Sequence, residues 1–188
     1  MATPNQKRFS VRNITLTALM AALCFVGATL RIQIPLAAGE AMIHFGNIFM
    51  LLGGLLLGGL PGGLAAGMGM SMSDLFSGTF ALYAPGTFIG KFLAGFICGK
   101  LAHRNGARTS QFRQSLMAAI AGILTNIVCS SLNTLFVKGI LYKVEFRPLL
   151  LTVAGNFGLS IVNGIIAVAV SLALYFPLHA ALSATERS

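Results

Sequence analysis

The sequence has no tryptophan and only 4 acidic residues against 13 Lys+Arg in 188 positions. Charged residues make up 9% of the chain, where a soluble domain carries about 25%. The three cysteines, Cys24, Cys98 and Cys129, form no C-x-x-C pair, and each lies in an apolar run. That excludes a disulfide scaffold and a thiolate metal site, and leaves the thiols as small buried packing groups. No phosphate-binding G-x-x-x-x-G-K-[ST] loop occurs, so the chain carries no ATPase of its own. Dense basic stripes with interleaved aromatics are also missing, so a net charge of +9 does not indicate a nucleic-acid partner.

What is present is apolar: 56% of residues are hydrophobic and the mean hydropathy is +0.84. The chain reads as an all-α integral membrane protein, one membrane domain over residues 1–188 with a basic tail at 1–12. Six apolar runs define the predicted helices. They span about Asn13–Ile32, Ile43–Leu60, Gly63–Phe76, Leu82–Ala102, Ser115–Val137 and Leu149–Leu178. The basic tail before the first run also fits a signal peptide, with Ala37 and Ala38 near a cleavage position. The length of the run, with Arg31 and Pro35 intervening, favours an uncleaved first span. Leu60-Pro61-Gly62-Gly63 reads as the turn between helices two and three.

Six spans place both termini on one side. If that side is cytoplasmic, it holds Lys7, Arg8, Arg12, Lys100, Arg104, Arg108, Arg113 and Arg187. Arg31, Lys138, Lys143 and Arg147 fall outside, a bias of eight to four that agrees with the positive-inside rule.

Polar groups at membrane depth are costly and face the bundle interior. Asn126, Ser130 and Asn133 recur at i, i+4, i+7 and share one face of helix five. Asn156, Ser160 and Asn163 repeat that spacing on helix six. Tyr83, Thr87 and Lys91 step down one face of helix four, and Lys91 reaches mid-depth. Asp74 lies near the outer end of helix three. Glu40, His44 and Asn47 occupy the first outer loop and the start of helix two. These thirteen residues form the candidate substrate site, at the extracellular end. Each amide also has a structural reading as a bond to a neighbouring helix. Lys91 has two readings, an ion pair with Asp74 or a charge facing a bound solute. Met68, Met70 and Met72 read as gap-filling residues. Ala18 and Ala22, four apart on helix one, permit close approach of a partner helix. Gly54, Gly58 and Gly62 have the same spacing and read as packing within the bundle.

An order of segments now becomes recognisable. Ile43-His44-Phe45-Gly46-Asn47 is followed by a Gly-rich hairpin and by Ser73-Asp74-Leu75-Phe76-Ser77-Gly78. Then comes Tyr83-Ala84-Pro85-Gly86-Thr87-Phe88-Ile89-Gly90-Lys91. With six spans, the basic tail and Ala18-x-x-x-Ala22, the chain resembles the substrate-binding S component of an energy-coupling factor (ECF) vitamin transporter. The resemblance implies a pocket in the outer half of the bundle and no cofactor. It also implies a transmembrane T component docking on Ala18 and Ala22, and two ATP-binding cassette ATPases as further partners. The first outer loop would cover the pocket as a lid, and the bilayer would be that of a prokaryotic cell membrane.

The block from His44 to Lys91 resembles the subgroup for pyridoxine or hydroxymethylpyrimidine. Asparagines suit the ring nitrogens and hydroxyls of such ligands, and Tyr83 or Phe88 offers a stacking surface. Pantothenate, with a carboxylate for Lys91, and folate remain as alternatives, as does an autonomous small-solute facilitator. An intramembrane enzyme would need a nucleophile and base, or paired carboxylates, at shared depth. The sequence supplies neither.

Overall fold

The computed structural model describes residues 11–36, 39–104 and 108–185. Six helices run through it. They are α1 (Val11–Thr29), α2 (Gly46–Leu57), α3 (Gly59–Phe76), α4 (Ala84–Ala102), α5 (Phe112–Thr134) and α6 (Phe146–Thr185). A short 3₁₀ turn (Ala81–Tyr83) leads into α4, and a π-helical segment (Leu135–Leu141) extends α5. Four stretches are long and apolar enough to cross a membrane: Val11–Thr29, Ala81–Ala102, Phe112–Leu141 and Phe146–Ser183. At 1.5 Å per residue, α2 is about 18 Å long and α3 about 27 Å. Neither meets the length and hydropathy of a full span, because α2 is short and α3 is diluted by glycine and serine.

Two features depart from the sequence expectation. The first outer loop is an antiparallel hairpin, β1 (Arg31–Leu36) paired with β2 (Gly39–His44), in register Arg31↔His44 through Leu36↔Gly39. The first helix therefore stops at Thr29 instead of Ile32, and the second starts at Gly46 instead of Ile43. The second departure is the turn between α2 and α3. It lies at Gly58, whose φ of 90° is a conformation that favours glycine. Pro61, Gly62 and Gly63 belong to the first turns of α3, where the missing Pro61 N–H would lack an intrahelical partner in any case.

Helix packing is set by absent side chains. A Cβ on Gly63 of α3 would fall 2.7 Å from the Phe92 carbonyl oxygen of α4. Gly59 and Gly67, one turn either side, rest in the same way on Phe96 and Phe88. The three phenylalanines stack on one another along α4 at centroid spacings of 6.3 and 5.9 Å. This glycine ladder brings α3 and α4 to backbone contact, the small-residue packing that bundles in lipid use. Gly54 and Gly62 close the α2–α3–α4 junction likewise, as the spacing predicts. The core around them is aliphatic: Met50, Leu51, Leu55 and Ala65 are fully buried with Cys24 and Cys98.

The two ends of the bundle differ in chemistry. At one end the α4–α5 connection is tied down. Arg108 Nε donates to the Leu56 carbonyl at 2.9 Å, and the Tyr175 hydroxyl of α6 donates to the Thr109 carbonyl at 2.7 Å. Tyr175 is fully buried there. Tyr175→Phe removes the donor and strands a buried carbonyl, a loss of about 1–3 kcal/mol. The expected outcome is a lower melting temperature with ligand affinity unchanged. The other end is open and polar.

Candidate ligand cavity

A cavity of about 120 Å³ opens at this second end. Six elements build it: the end of β2, the starts of α2 and α4, the end of α3, the α5–π segment and the first half of α6. The α-helical stripes of the sequence meet here. Asn126, Ser130 and Asn133 face Asn156, Ser160 and Asn163 across it, with His44, Asn47, Asp74, Tyr83, Thr87 and Lys91 completing the wall. Glu40 is paired with Pro35 in the hairpin backbone, and its side chain lies outside the described residues. Ala18 and Ala22 are exposed on α1, away from this cavity.

Several residues line the cavity that sequence spacing did not single out: Ala28, Met42, Met70, Phe80, Gly86, Gly90, Thr134, Lys138 and Thr152. Thr134 and Lys138 extend the α5 stripe one further turn each, and Thr152 stands one turn before Asn156, so the periodic signal was there. Of the three methionines, Met70 is buried on the cavity, whereas Met68 and Met72 are exposed on the outer surface of α3. Phe88 belongs to the aromatic ladder and does not line the cavity; its stacking role passes to Phe80. The Phe80 ring lies 5.9 Å from that of Tyr83. The Arg31 guanidinium sits 5.4 Å over Phe80, anchoring this aromatic corner by a cation–π contact.

The hydrogen bonds show which groups are held. Lys91 Nζ donates to Asn47 Oδ1 at 2.7 Å, so its amine is tied to α2, where an ion pair with Asp74 was one expectation. Asp74 shares the cavity wall with it, and Thr87 faces the Asp74 carboxyl. Asn133 Nδ2 donates to the Tyr83 carbonyl at 3.1 Å, fastening α5 to the start of α4. Asn156 Nδ2 donates to Thr134 Oγ1 at 2.7 Å, fastening α6 to α5. These two amides therefore do structural work while their remaining oxygens stay available to a ligand. Asn126 and Asn163 present buried amides to the same space.

His44 closes the wall from the hairpin. Its Nδ1 is buried with no hydrogen-bond partner. Burial first, then the nearby Lys91 and Arg31 cations, push its pKa down to about 3. The folded protein therefore keeps the ring neutral where an unfolded chain protonates it near pH 6.5. Stability is at its full value above that pH and falls as pH drops from about 6.5 toward 3, by at most about 1.4 kcal/mol per pH unit. Melting curves from pH 8 to pH 5 should show that slope in the native protein, and a shallower one in His44→Gln.

Among the described residues no group of three His, Cys, Asp or Glu side chains is placed to hold a metal. What the cavity offers is neutral amides and hydroxyls, two lysines and one aspartate, at one end of an apolar helical bundle. That combination defines a membrane protein that binds a small polar solute, and comparison with known proteins makes the class specific. The chain belongs to the ECF-type riboflavin transporter S component family, whose sequence model matches residues 8–181. No curated protein sequence matches it. Among solved structures it is similar to the 2.1 Å crystal structure of the S component for biotin from an ECF-type ABC transporter, with a TM-score of 0.63 and 18% identity. That likeness covers 93% of this chain and 94% of the other, and it establishes the fold. The chain is thus a vitamin-transport subunit of the S-component class, in a family of transport proteins and not of enzymes.

Proposed function

We propose that this chain captures a small water-soluble vitamin in the cavity from outside the cell. It then delivers the vitamin inward together with a transmembrane T component and two ATPases. The observation that carries the proposal is the gathering of five asparagines on one cavity: Asn47, Asn126, Asn133, Asn156 and Asn163. So dense a set of donor–acceptor groups is costly in a membrane bundle unless a polar ligand uses it. The aromatic corner of Phe80 and Tyr83 supplies a face for a flat ring. A compact ring with hydroxymethyl groups, pyridoxine or hydroxymethylpyrimidine, suits amides crowded on every side. Riboflavin is the second candidate, favoured by the family to which the chain belongs.

The same reading gives six membrane crossings with both termini in the cytoplasm. Lys100, Arg104, Arg108 and Arg113 cluster at the end of the bundle away from the cavity, where the positive-inside rule puts cytoplasmic loops. The cavity then faces outward, and the hairpin lies over it.

The test is a thermal-shift and fluorescence titration of the purified protein with pyridoxine, hydroxymethylpyrimidine, riboflavin, pantothenate and folate. A ligand at 100 times its Kd adds about 2.7 kcal/mol of stability. Riboflavin would also report through quenching of its own flavin emission. A folded sample that responds to none of these overturns the vitamin reading. Uptake that persists without ATPase partners points instead to an autonomous facilitator.

A further inference from the structure

The charges of the cavity do not balance. Lys91 and Lys138 both line it, 8% and 6% exposed, and Asp74 is the carboxylate opposite them among the described residues. Arg31 stands close behind, over Phe80, and adds a third positive group near the wall. His44 contributes no negative charge, and the five asparagines are neutral. Two buried ammonium groups against one carboxylate leave the interior with an excess positive charge. An uncompensated ion in a low-dielectric site is costly unless something of opposite sign enters.

Lys138 reaches this position through an unusual backbone. Within an α-helix it would follow Asn133 by five residues and turn off the stripe. The π-helical segment Leu135–Leu141 widens the turn to an i+5 repeat, seen in the Tyr142 N–H donating to the Val137 carbonyl at 3.0 Å. The wider turn keeps Lys138 on the face that already carries Asn126, Ser130 and Asn133. Single π-turns recur where a helix has been adjusted for function. The segment ends in Lys143, at φ 51°, with the Val144 N–H returning to the Lys138 carbonyl at 3.0 Å.

We propose that the substrate carries a negatively charged oxygen group and that Lys138, together with Lys91, holds it. Lys91 keeps one hydrogen on Asn47 and has two more to offer. Asp74 on the same wall then suits a positive or N–H-bearing atom elsewhere on the ligand. A carboxylate, a phosphate or the ring oxide of a 3-hydroxypyridine each meets the requirement. The last is zwitterionic at neutral pH, with its ring N–H⁺ available to Asp74. The inference rests on the vitamin-capture reading and narrows it, because it disfavours neutral ligands such as riboflavin.

The experiment compares matched pairs on the purified protein in nanodiscs by thermal shift and calorimetry. The pairs are pantothenate with pantothenol, nicotinate with nicotinamide, and pyridoxine with its 3-deoxy analogue, with riboflavin as a neutral vitamin. The expected result is binding of a charged member, with its neutral partner about 30-fold weaker or worse. Lys138→Met should weaken the charged member by a similar factor and leave its neutral partner unchanged, while Lys138→Arg retains most of the affinity. Equal binding within a pair, or tight riboflavin binding insensitive to Lys138→Met, overturns the charge assignment and leaves vitamin capture standing. A folded sample that binds no compound overturns both.

Discussion

Lys91→Ala abolishes measurable ligand binding and lowers the melting temperature, and the two effects separate. The amine donates to Asn47 at 2.7 Å and shares the wall with Asp74. Its removal leaves the Asp74 carboxylate without its nearest cation and Asn47 without its donor. Breaking a buried charged pair by deleting one partner costs about 3–5 kcal/mol, and part of that loss belongs to the fold. The double variant Lys91→Ala/Asp74→Asn removes the stranded charge as well. Its melting temperature should recover most of the difference, while its ligand affinity stays at least about 30-fold below the native value. If the double variant binds ligand normally, Lys91 is a structural ion and not a binding group. Asn133→Ala is expected to be milder in stability, since one amide bond to the Tyr83 carbonyl is lost. It should still weaken binding, because that bond fixes the start of α4 against α5.

Much of this site could be read in the sequence because α-helical periodicity is a strong signal in an apolar background. A polar residue in a membrane helix stands out, and two stripes at i, i+4, i+7 point to one cavity wall each. Twelve of the thirteen residues chosen in that way line the cavity, and the thirteenth, Glu40, lies in the hairpin with its side chain outside the described residues. The additions follow from limits of the same signal. Lys138 fell beyond the predicted end of helix five at Val137, and its place on the stripe depends on a π-turn that no residue pattern announces. Phe80 sits in an irregular connection between α3 and α4, where no period exists to assign a face.

The fold was legible in its helices and less so in its joints. Ile32 and Ile34 read as the tail of an apolar helix, yet they alternate with Arg31 and Gln33 in a strand. A short apolar run does not distinguish the two conformations. Pro61 was taken as a breaker, although the first turn of a helix accepts proline readily. The break fell instead at Gly58, where a positive φ is required. The α3–α4 ladder lay in plain view as Gly59, Gly63, Gly67 and Phe88, Phe92, Phe96. Either series alone is common in membrane helices. Only the antiparallel pairing of the two, each glycine under one phenylalanine carbonyl, gives them meaning.

The variant Ala18→Phe/Ala22→Phe should bind ligand normally and transport almost none. Both alanines are exposed on α1, on a face separate from Met20, Cys24 and Ala28, which pack into the core. Adding bulk at an exposed position changes stability by no more than about 0.5 kcal/mol, so Kd should stay within about twofold of native. Transport is different, because the proposed T component must approach α1 closely, and two phenylalanines one turn apart hold a partner helix away. Helix–helix association in lipid has little hydrophobic drive to offset such a gap and depends on close packing. Uptake of a radiolabelled ligand by cells expressing the whole transporter should fall below a tenth of native, and co-purification of the T component should fall with it. Leu19→Phe, on the same helix and also exposed, tests whether any added ring has this effect. Native uptake by the double alanine variant would mean that α1 faces lipid here and that the T component docks elsewhere.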